Sequence, residues 1–330
     1  MRGSLLVGGE RVLVTGATGF VGGALCRCLR ELGFLVRVAV RDSSRLPGGV
    51  SFCSEYEGVM LHDRSAEVDA AYACQGVRVV VHLAARVHVM ADHASDPLGE
   101  FRRVNTDWTE RLARVAVSQG VRRFVYLSSI KVNGEQSRIP FAEQHSSNPQ
   151  DPYGVSKWEA EQALARVAKQ TGLEIVIIRS PLVYGPGVGG NFLQLLKIVH
   201  RGVPLPLATV QNLRSLIYRG NLVSALVCCA QDIRAAGQTY LVSDGDDLST
   251  AELIRRLGKA LGVSVRLWPL PVVLLRSLGK ILGKQTVIDR LYGSLQVNSS
   301  KIRQQLDWQP PFTVDQGLTE TAAWYTRSPL

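Results

Sequence analysis

Short apolar runs and longer amphipathic stretches follow one another along this chain. Val12-Leu13-Val14 is the first apolar run, and Leu35 to Val40 is the second. Between them a glycine-rich turn opens a helix-like stretch from Phe20 to Leu32, which stops at Gly33. The pattern predicts strand, glycine turn, helix, strand. Further on, Val79 to Ala85 reads as a buried strand that runs into two small residues. Residues 98–119 alternate as an amphipathic helix. Phe124 to Ser129 is the next strand, and Asp151-Pro152 opens another helix with proline near its first turn. Asn191 opens a later helix, and Ser249 closes a polar stretch that caps one more. Strands alternating with helices predict an α/β fold with a doubly wound parallel sheet and a smaller C-terminal α/β lobe. The expected division is residues 1–180 and 181–330, with about 214–240 returning to the first unit.

The turn itself is Gly16-Ala17-Thr18-Gly19-Phe20-Val21-Gly22, spaced GxxGxxG. Glycines there allow a tight turn and let a pyrophosphate approach the backbone, while the helix N-terminus supplies N–H groups. Position in a strand–turn–helix unit separates this motif from incidental glycines. The second strand ends in Arg41-Asp42. An acidic residue at that tip would hold a ribose 2′-hydroxyl, whereas an arginine suits a 2′-phosphate. Counting from Gly16, the usual acidic position falls on Val40 and Arg41 follows, which favours NADP(H), with NAD(H) the alternative; a one-residue shift would put Asp42 on the ribose.

Ser128 and Ser129 end the strand that should open on the ligand crevice, so both are candidates to hold a substrate oxygen. Tyr153 and Lys157 lie four apart and share one helical face. An ammonium beside a phenol is expected to lower the phenol's pKa and make it a usable acid and base. His62 and His82 read as structural rather than catalytic. His88 and His93 sit five apart in a loop without further ligands, so no metal site is expected.

Composition narrows the classes. With 46% hydrophobic residues among 330, the chain is globular. Six cysteines without metal spacing read as small apolar residues in a reducing compartment. The formal charge of +10 is scattered and carries no aromatic ladder, which argues against nucleic acid and suits a small polyanion. No apolar run reaches the ~20 residues needed to span a bilayer. A cytoplasmic location is expected, with no signal peptide. Residues 269–285 are basic and strongly apolar, and read as a packed helix rather than a membrane-surface element.

Together these segments resemble the extended short-chain dehydrogenase/reductase superfamily, in its nucleotide-sugar epimerase/dehydratase branch, over nearly the whole chain. The resemblance makes Ser129, Tyr153 and Lys157 the catalytic set. It assigns the cofactor to Gly16, Thr18, Gly19, Phe20, Val21 and Gly22, to Arg41 and Asp63, and to the Leu83-Ala84-Ala85 step beside the ribose. Asn105, which holds the active-site backbone, Tyr153, Lys157 and Pro181 join that group. It assigns the substrate to Ser128, Ser129, Asn191, Arg214 and Tyr292, with Asn191 and Arg214 on the diphosphate. A homodimer through the helices bearing Asn105 and Tyr153 is the implied assembly.

One departure bears on the chemistry. The branch's dehydratases follow the catalytic hydroxyl with Asp-Glu, but here Ile130-Lys131 stands in that place. An isoleucine cannot act as a general acid, so dehydration is not expected. Arg86 to Met90, Ser129 to Gly134 and Gly293 to Val297 resemble a bacterial surface-polysaccharide subgroup of UDP-sugar 4-epimerases and 4-keto-reductases. Cofactor choice favours the reductase of a UDP-2-acetamido-2,6-dideoxy-4-hexulose, with a UDP-glucose or UDP-N-acetylglucosamine 4-epimerase holding NAD as the alternative. A non-catalytic cofactor sensor is the distant third reading, since such proteins usually lack the Tyr/Lys pair.

Overall fold

The computed structural model describes residues 4–6, 8–40, 56–61, 66–87, 96–271 and 291–327. Arg41 and Asp63 fall outside them, as do His62, His88, His93 and residues 272–285 of the basic apolar segment. In chain order the first elements are β1 (Arg11–Thr15), α1 (Gly22–Glu31), β2 (Leu35–Val40), β3 (Glu57–Met60), α2 (Ala66–Cys74) and β4 (Val79–His82). Next come α3 (Pro97–Phe101), a π-helical segment (Arg102–Asp107), α4 (Trp108–Ser118), β5 (Arg123–Ser129), α5 (Pro152–Thr171) and β6 (Glu174–Ser180). The remainder is β7 (Leu182–Tyr184), α6 (Gly190–His200), β8 (Leu216–Tyr218), α7 (Arg219–Gln231), β9 (Thr239–Leu241), α8 (Thr250–Leu261), α9 (Ser300–Leu306) and α10 (Val314–Arg327).

Seven strands form one parallel sheet in the order β3-β2-β1-β4-β5-β6-β9. The chain winds outward from β1 through β2 to β3, then returns to β4 on the other side of β1. Ligands bind at such a reversal, beyond the carboxyl ends of the strands. Thr15 and His82 are register partners at that point, and Ser129 pairs with Ser180 farther along the edge.

Helices cover both faces of the sheet, which is why its strands are nearly continuous apolar runs. Val12 and Val14 pack with Leu25 and Leu29 of α1 and Leu222 and Leu226 of α7. Leu13 and Val80 point the other way, onto Ala70 of α2, Leu112 of α4 and Leu164 of α5. A third cluster joins Phe192 and Leu196 of α6 to Ile254 and Leu257 of α8 and to Leu318 of α10. This lobe also carries the short parallel pair β7 and β8.

Two expected elements come out differently. The first helix starts at Gly22 rather than Phe20, because residues 16–21 form the turn, closed by Gly19 N–H donating to the Gly16 carbonyl at 2.9 Å. The single helix expected over 98–119 runs without interruption over 97–118, but its middle, Arg102–Asp107, winds as a π-helix between α3 and α4. Asn105 sits in the π segment, and its carbonyl accepts the Thr109 hydroxyl at 2.7 Å. Inserted π turns of this kind recur at functional sites.

Candidate active site

The sheet's carboxyl edge and the smaller lobe enclose a cleft of about 1400 Å³. The glycine turn forms one end. Gly16 has φ +71°, and a Cβ there would sit 2.7 Å from the Ala84 nitrogen. A Cβ on Gly22 would lie 2.1 Å from the Gly16 carbonyl oxygen. Only glycine lets α1 begin this close to the turn and lets the turn lie against residues 83–84. Gly16, Thr18, Gly19, Phe20, Val21 and Gly22 all line the cleft, as do Leu83, Ala84 and Ala85 after β4.

The centre is built from β5 and α5. Asp151 caps α5 by accepting Gly154 N–H at 2.6 Å, which starts the helix so that Tyr153 and Lys157 turn to the cleft beside Ser129. Pro181 follows β6 and lines the same wall. From the lobe, Asn191 stands in the first turn of α6, and Arg214 donates to the Gly293 carbonyl at 3.0 Å while facing the cleft. The structure thus gathers three catalytic candidates, the cofactor candidates of the turn and the lobe's two polar residues around one space.

Three candidates reach the cleft less directly, Asn105 among them by holding backbone as the resemblance implies. Ser128 lines the cleft, but its hydroxyl donates to Glu161 Oε1 at 2.5 Å and the residue is only 2% exposed. Glu161 needs that partner because it is buried with Arg179, whose Nη2 lies 2.5 Å from its other oxygen. Asn105 is buried and does not line the cleft. Its Oδ1 accepts Arg86 N–H at 2.7 Å, and its Nδ2 donates to the Arg86 carbonyl at 3.0 Å and to Ser156 Oγ at 3.0 Å. Tyr292 packs on the lobe's apolar cluster, while Leu291 and Leu295 on either side of it line the cleft.

The electrostatics also depart from the expectation. Burial pushes the Tyr153 phenol up to about 12; the Asp151 charge adds to this and a hydrogen bond with Ser129 opposes it. Burial brings Lys157 down to about 7, against an upward pull from Glu161. The ammonium sits 4.1 Å from the centre of the Tyr126 ring. Desolvation therefore outweighs the charge effect expected from the four-residue spacing.

Four charged residues of the cleft were given no binding role by the sequence: Arg103, Arg111, Lys131 and Glu135. Lys131 binds Asp151 and lies 2.9 Å from Glu135. Val104, Trp108 and Arg111 are spaced three and four apart, a helical face that the periodicity of 98–119 contained. Among the described residues, no group of three or more His, Cys, Asp or Glu is placed to hold a metal ion.

Residues 12–243 match the model of the NAD dependent epimerase/dehydratase family. The chain belongs to this family. A UDP-glucose 4-epimerase of Vibrio cholerae is 42% identical over 317 residues, covering 95% of this chain and 94% of the relative. An Escherichia coli O157:H7 N-acetyl-alpha-D-glucosaminyl-diphospho-ditrans,octacis-undecaprenol 4-epimerase is 26% identical over 328 residues, covering 94% of each. Among solved structures, UDP-glucuronic acid 4-epimerase from Bacillus cereus, in complex with NAD, superposes with a TM-score of 0.77 at 20% identity. That match covers 96% of this chain and 99% of the other, and it is a likeness of fold. As a family member the chain is an enzyme, and its parallel sheet is the fold it shares with that solved structure. No helix among the described residues is long and apolar enough to cross a membrane.

Proposed function

We propose that this family member is a UDP-sugar 4-epimerase that keeps NAD. The observation that carries the reading is the convergence of Ser129, Tyr153 and Lys157 with the glycine turn on one cleft, large enough for a dinucleotide beside a nucleotide-sugar. The 42% identity to a protein named UDP-glucose 4-epimerase supports the choice. The cradle fits a dinucleotide: glycine at 16 and 22 lets the turn pack against residues 83–84 and lets α1 begin beside it, so the turn's backbone and the start of the helix face the cleft together. NAD held there would supply the hydride acceptor, and as NADH the hydride donor, for C4 of the sugar.

The chain's residues handle the sugar and the proton. Tyr153 takes the C4 hydroxyl proton as the sugar is oxidised, and returns it to the same oxygen when the 4-keto sugar, turned over in the cleft, is reduced on its other face. A phenol pushed up to about 12 is protonated at neutral pH, so it must lose that proton before it can act as the base. Ser129 holds the same oxygen through its hydroxyl. Lys157, brought down to about 7, lines the cleft; its role in this reading is to anchor the cofactor and, when charged, to favour the phenolate. Asn191 at the start of α6 and Arg214 hold the diphosphate. Ile130, 4% exposed, supplies no acid for water loss.

A second reading rests on Arg41, which directly follows the last residue of β2. An arginine there favours the 2′-phosphate of NADPH and a 4-keto-reductase of a UDP-2-acetamido-2,6-dideoxy-4-hexulose. Mass spectrometry of the cofactor released from denatured protein separates the two, together with incubation with UDP-glucose and UDP-N-acetylglucosamine. Stoichiometric NAD and conversion to the 4-epimer are expected. NADPH dependence with turnover of the 4-keto sugar alone would replace the epimerase by the reductase.

A further inference from the structure

Four buried side chains form a closed path around the tail of β4. Thr15, His82, Thr109 and Asn105 are each no more than 1% exposed. Ala84 N–H donates to Thr15 Oγ1 at 3.3 Å, and Thr15 Oγ1 lies 2.6 Å from His82 Nδ1. On the other side of the ring, His82 Nε2 lies 2.9 Å from Thr109 Oγ1, whose proton goes to the Asn105 carbonyl at 2.7 Å. The Asn105 amide then clamps Arg86 by both its N–H and its carbonyl.

This chain of bonds sets the ring's proton. Because Thr109 donates to Asn105, it must accept from His82 Nε2–H; Nδ1 is then left to accept from Thr15, which in turn accepts from Ala84. Every donor has an acceptor in that arrangement. A second ring proton would leave the Thr15 proton without its acceptor. Burial, helped by the nearby Lys157 charge, drives the imidazole down to about 3, and the Phe124 and Tyr126 rings lie against it at 5.5 and 5.8 Å.

The path has two consequences for the cleft. It holds the wall Leu83–Ala85 at both ends, at Ala84 through Thr15 and at Arg86 through Asn105. It also reaches the catalytic helix, since Asn105 Nδ2 donates to Ser156 Oγ, which donates to the Tyr153 carbonyl at 2.8 Å. We propose that His82 is a positioning residue, whose neutral Nε2–H ring joins the glycine-turn strand to the π segment and so sets the spacing between the cofactor wall and the helix of Tyr153 and Lys157. The inference rests on the reading of the cleft as a dinucleotide site.

The test uses residues that touch neither ligand. Thr109→Val removes one hydroxyl from the path at nearly constant volume, Thr109→Ser restores it, and His82→Leu removes both ring bonds. NAD and NADP dissociation constants are measured by calorimetry on cofactor-stripped protein, beside kcat and KM for the UDP-sugar and the melting temperature. Thr109→Val is expected to weaken dinucleotide binding about 5- to 30-fold, with Thr109→Ser near wild type. His82→Leu is expected to lower kcat more than it changes the UDP-sugar KM. Variants that melt earlier yet bind dinucleotide and turn over like wild type would reduce the path to a structural one and overturn the proposal. If Thr109→Val folds while His82→Leu does not, the Thr109 pair decides alone. A wild type that binds neither dinucleotide would overturn the reading of the cleft itself, and this inference with it.

Discussion

Glu161→Ala should be far more damaging than a lost surface charge. Glu161 lies one helical turn beyond Lys157, with its side chain 3% exposed, and its partner Arg179 is 8% exposed. Arg179 reaches the carboxylate through Nε at 3.0 and 3.2 Å and through Nη2 at 2.5 Å. Removing the carboxylate leaves the guanidinium buried, with its Nη1 bond to Asn133 Oδ1 at 3.0 Å as its other side-chain contact. Breaking such a pair from one side costs about 3–5 kcal/mol. The Ser128 hydroxyl loses its acceptor as well, adding roughly 1 kcal/mol. The variant should therefore lose about 4–6 kcal/mol in urea unfolding followed by circular dichroism. At a slope near ~3 kcal/mol per molar, its midpoint would fall by more than ~1 M. The double variant Glu161→Leu/Arg179→Met removes both charges and fills the space, so it should return to within about 2 kcal/mol of wild type. A loss below ~1 kcal/mol for Glu161→Ala, or a double variant as unstable as the sum of the two singles, would refute the claim that a stranded buried charge is the cost.

Three further outcomes follow from the site. Tyr153→Phe keeps the ring packed against Phe101 but removes the proton carrier, so turnover should fall by a factor of ~10³ or more with NAD affinity within a few-fold of wild type; near-normal turnover would remove Tyr153 from the chemistry. Gly22→Ala places a methyl 2.1 Å from the Gly16 carbonyl oxygen, and calorimetry should find dinucleotide binding weakened at least ~100-fold; unchanged binding would show that the turn has room to spare. Lys157 has its folded pKa lowered to about 7 from 10.5, so the buried charge costs the folded state its full amount below pH 7. The cost fades as pH rises from about 7 toward 10.5, where the unfolded chain also gives up the proton. Cofactor-free Lys157→Met should thus be more stable than wild type at pH 6 by several kcal/mol, with the gap narrowing by pH 9.5; a gap independent of pH would contradict the burial of a protonated lysine.

Local chemistry made much of this protein legible before its structure. Val12 to Val14, Val79 to Val81 and Phe124 to Ser129 read as strands because a sheet covered on both faces needs continuous apolar runs. The Gly16–Gly22 turn is recognisable because its steric demands fall on residues a few positions apart, and Tyr153 and Lys157 meet because one helical turn joins them. What escaped depends on partners distant in sequence. Arg123 looks like one more scattered charge, yet it is fully buried, with its Nη1 donating to the Cys229 and Asp232 carbonyls at the C-terminal end of α7 and its Nη2 2.8 Å from Glu174. Arg37 fastens the end of α2 in the same way through the Tyr72, Ala73 and Gln75 carbonyls. Ser128 and Ser129 are adjacent and chemically identical, but strand alternation and a glutamate 33 residues away send one hydroxyl inward. The π-helical middle of the helix over 98–119 was hidden because a periodicity count does not register the bonds that Asn105 makes 19 and 51 residues away. The direction of the Tyr153 shift was likewise beyond a four-residue spacing, since desolvation is a property of everything packed around the phenol. Short-range sterics and apolar periodicity thus determined the elements and the identity of the central pair. Burial, and hydrogen bonds between residues brought together only by folding, decided which of the remaining polar groups face the cleft and which hold it in shape.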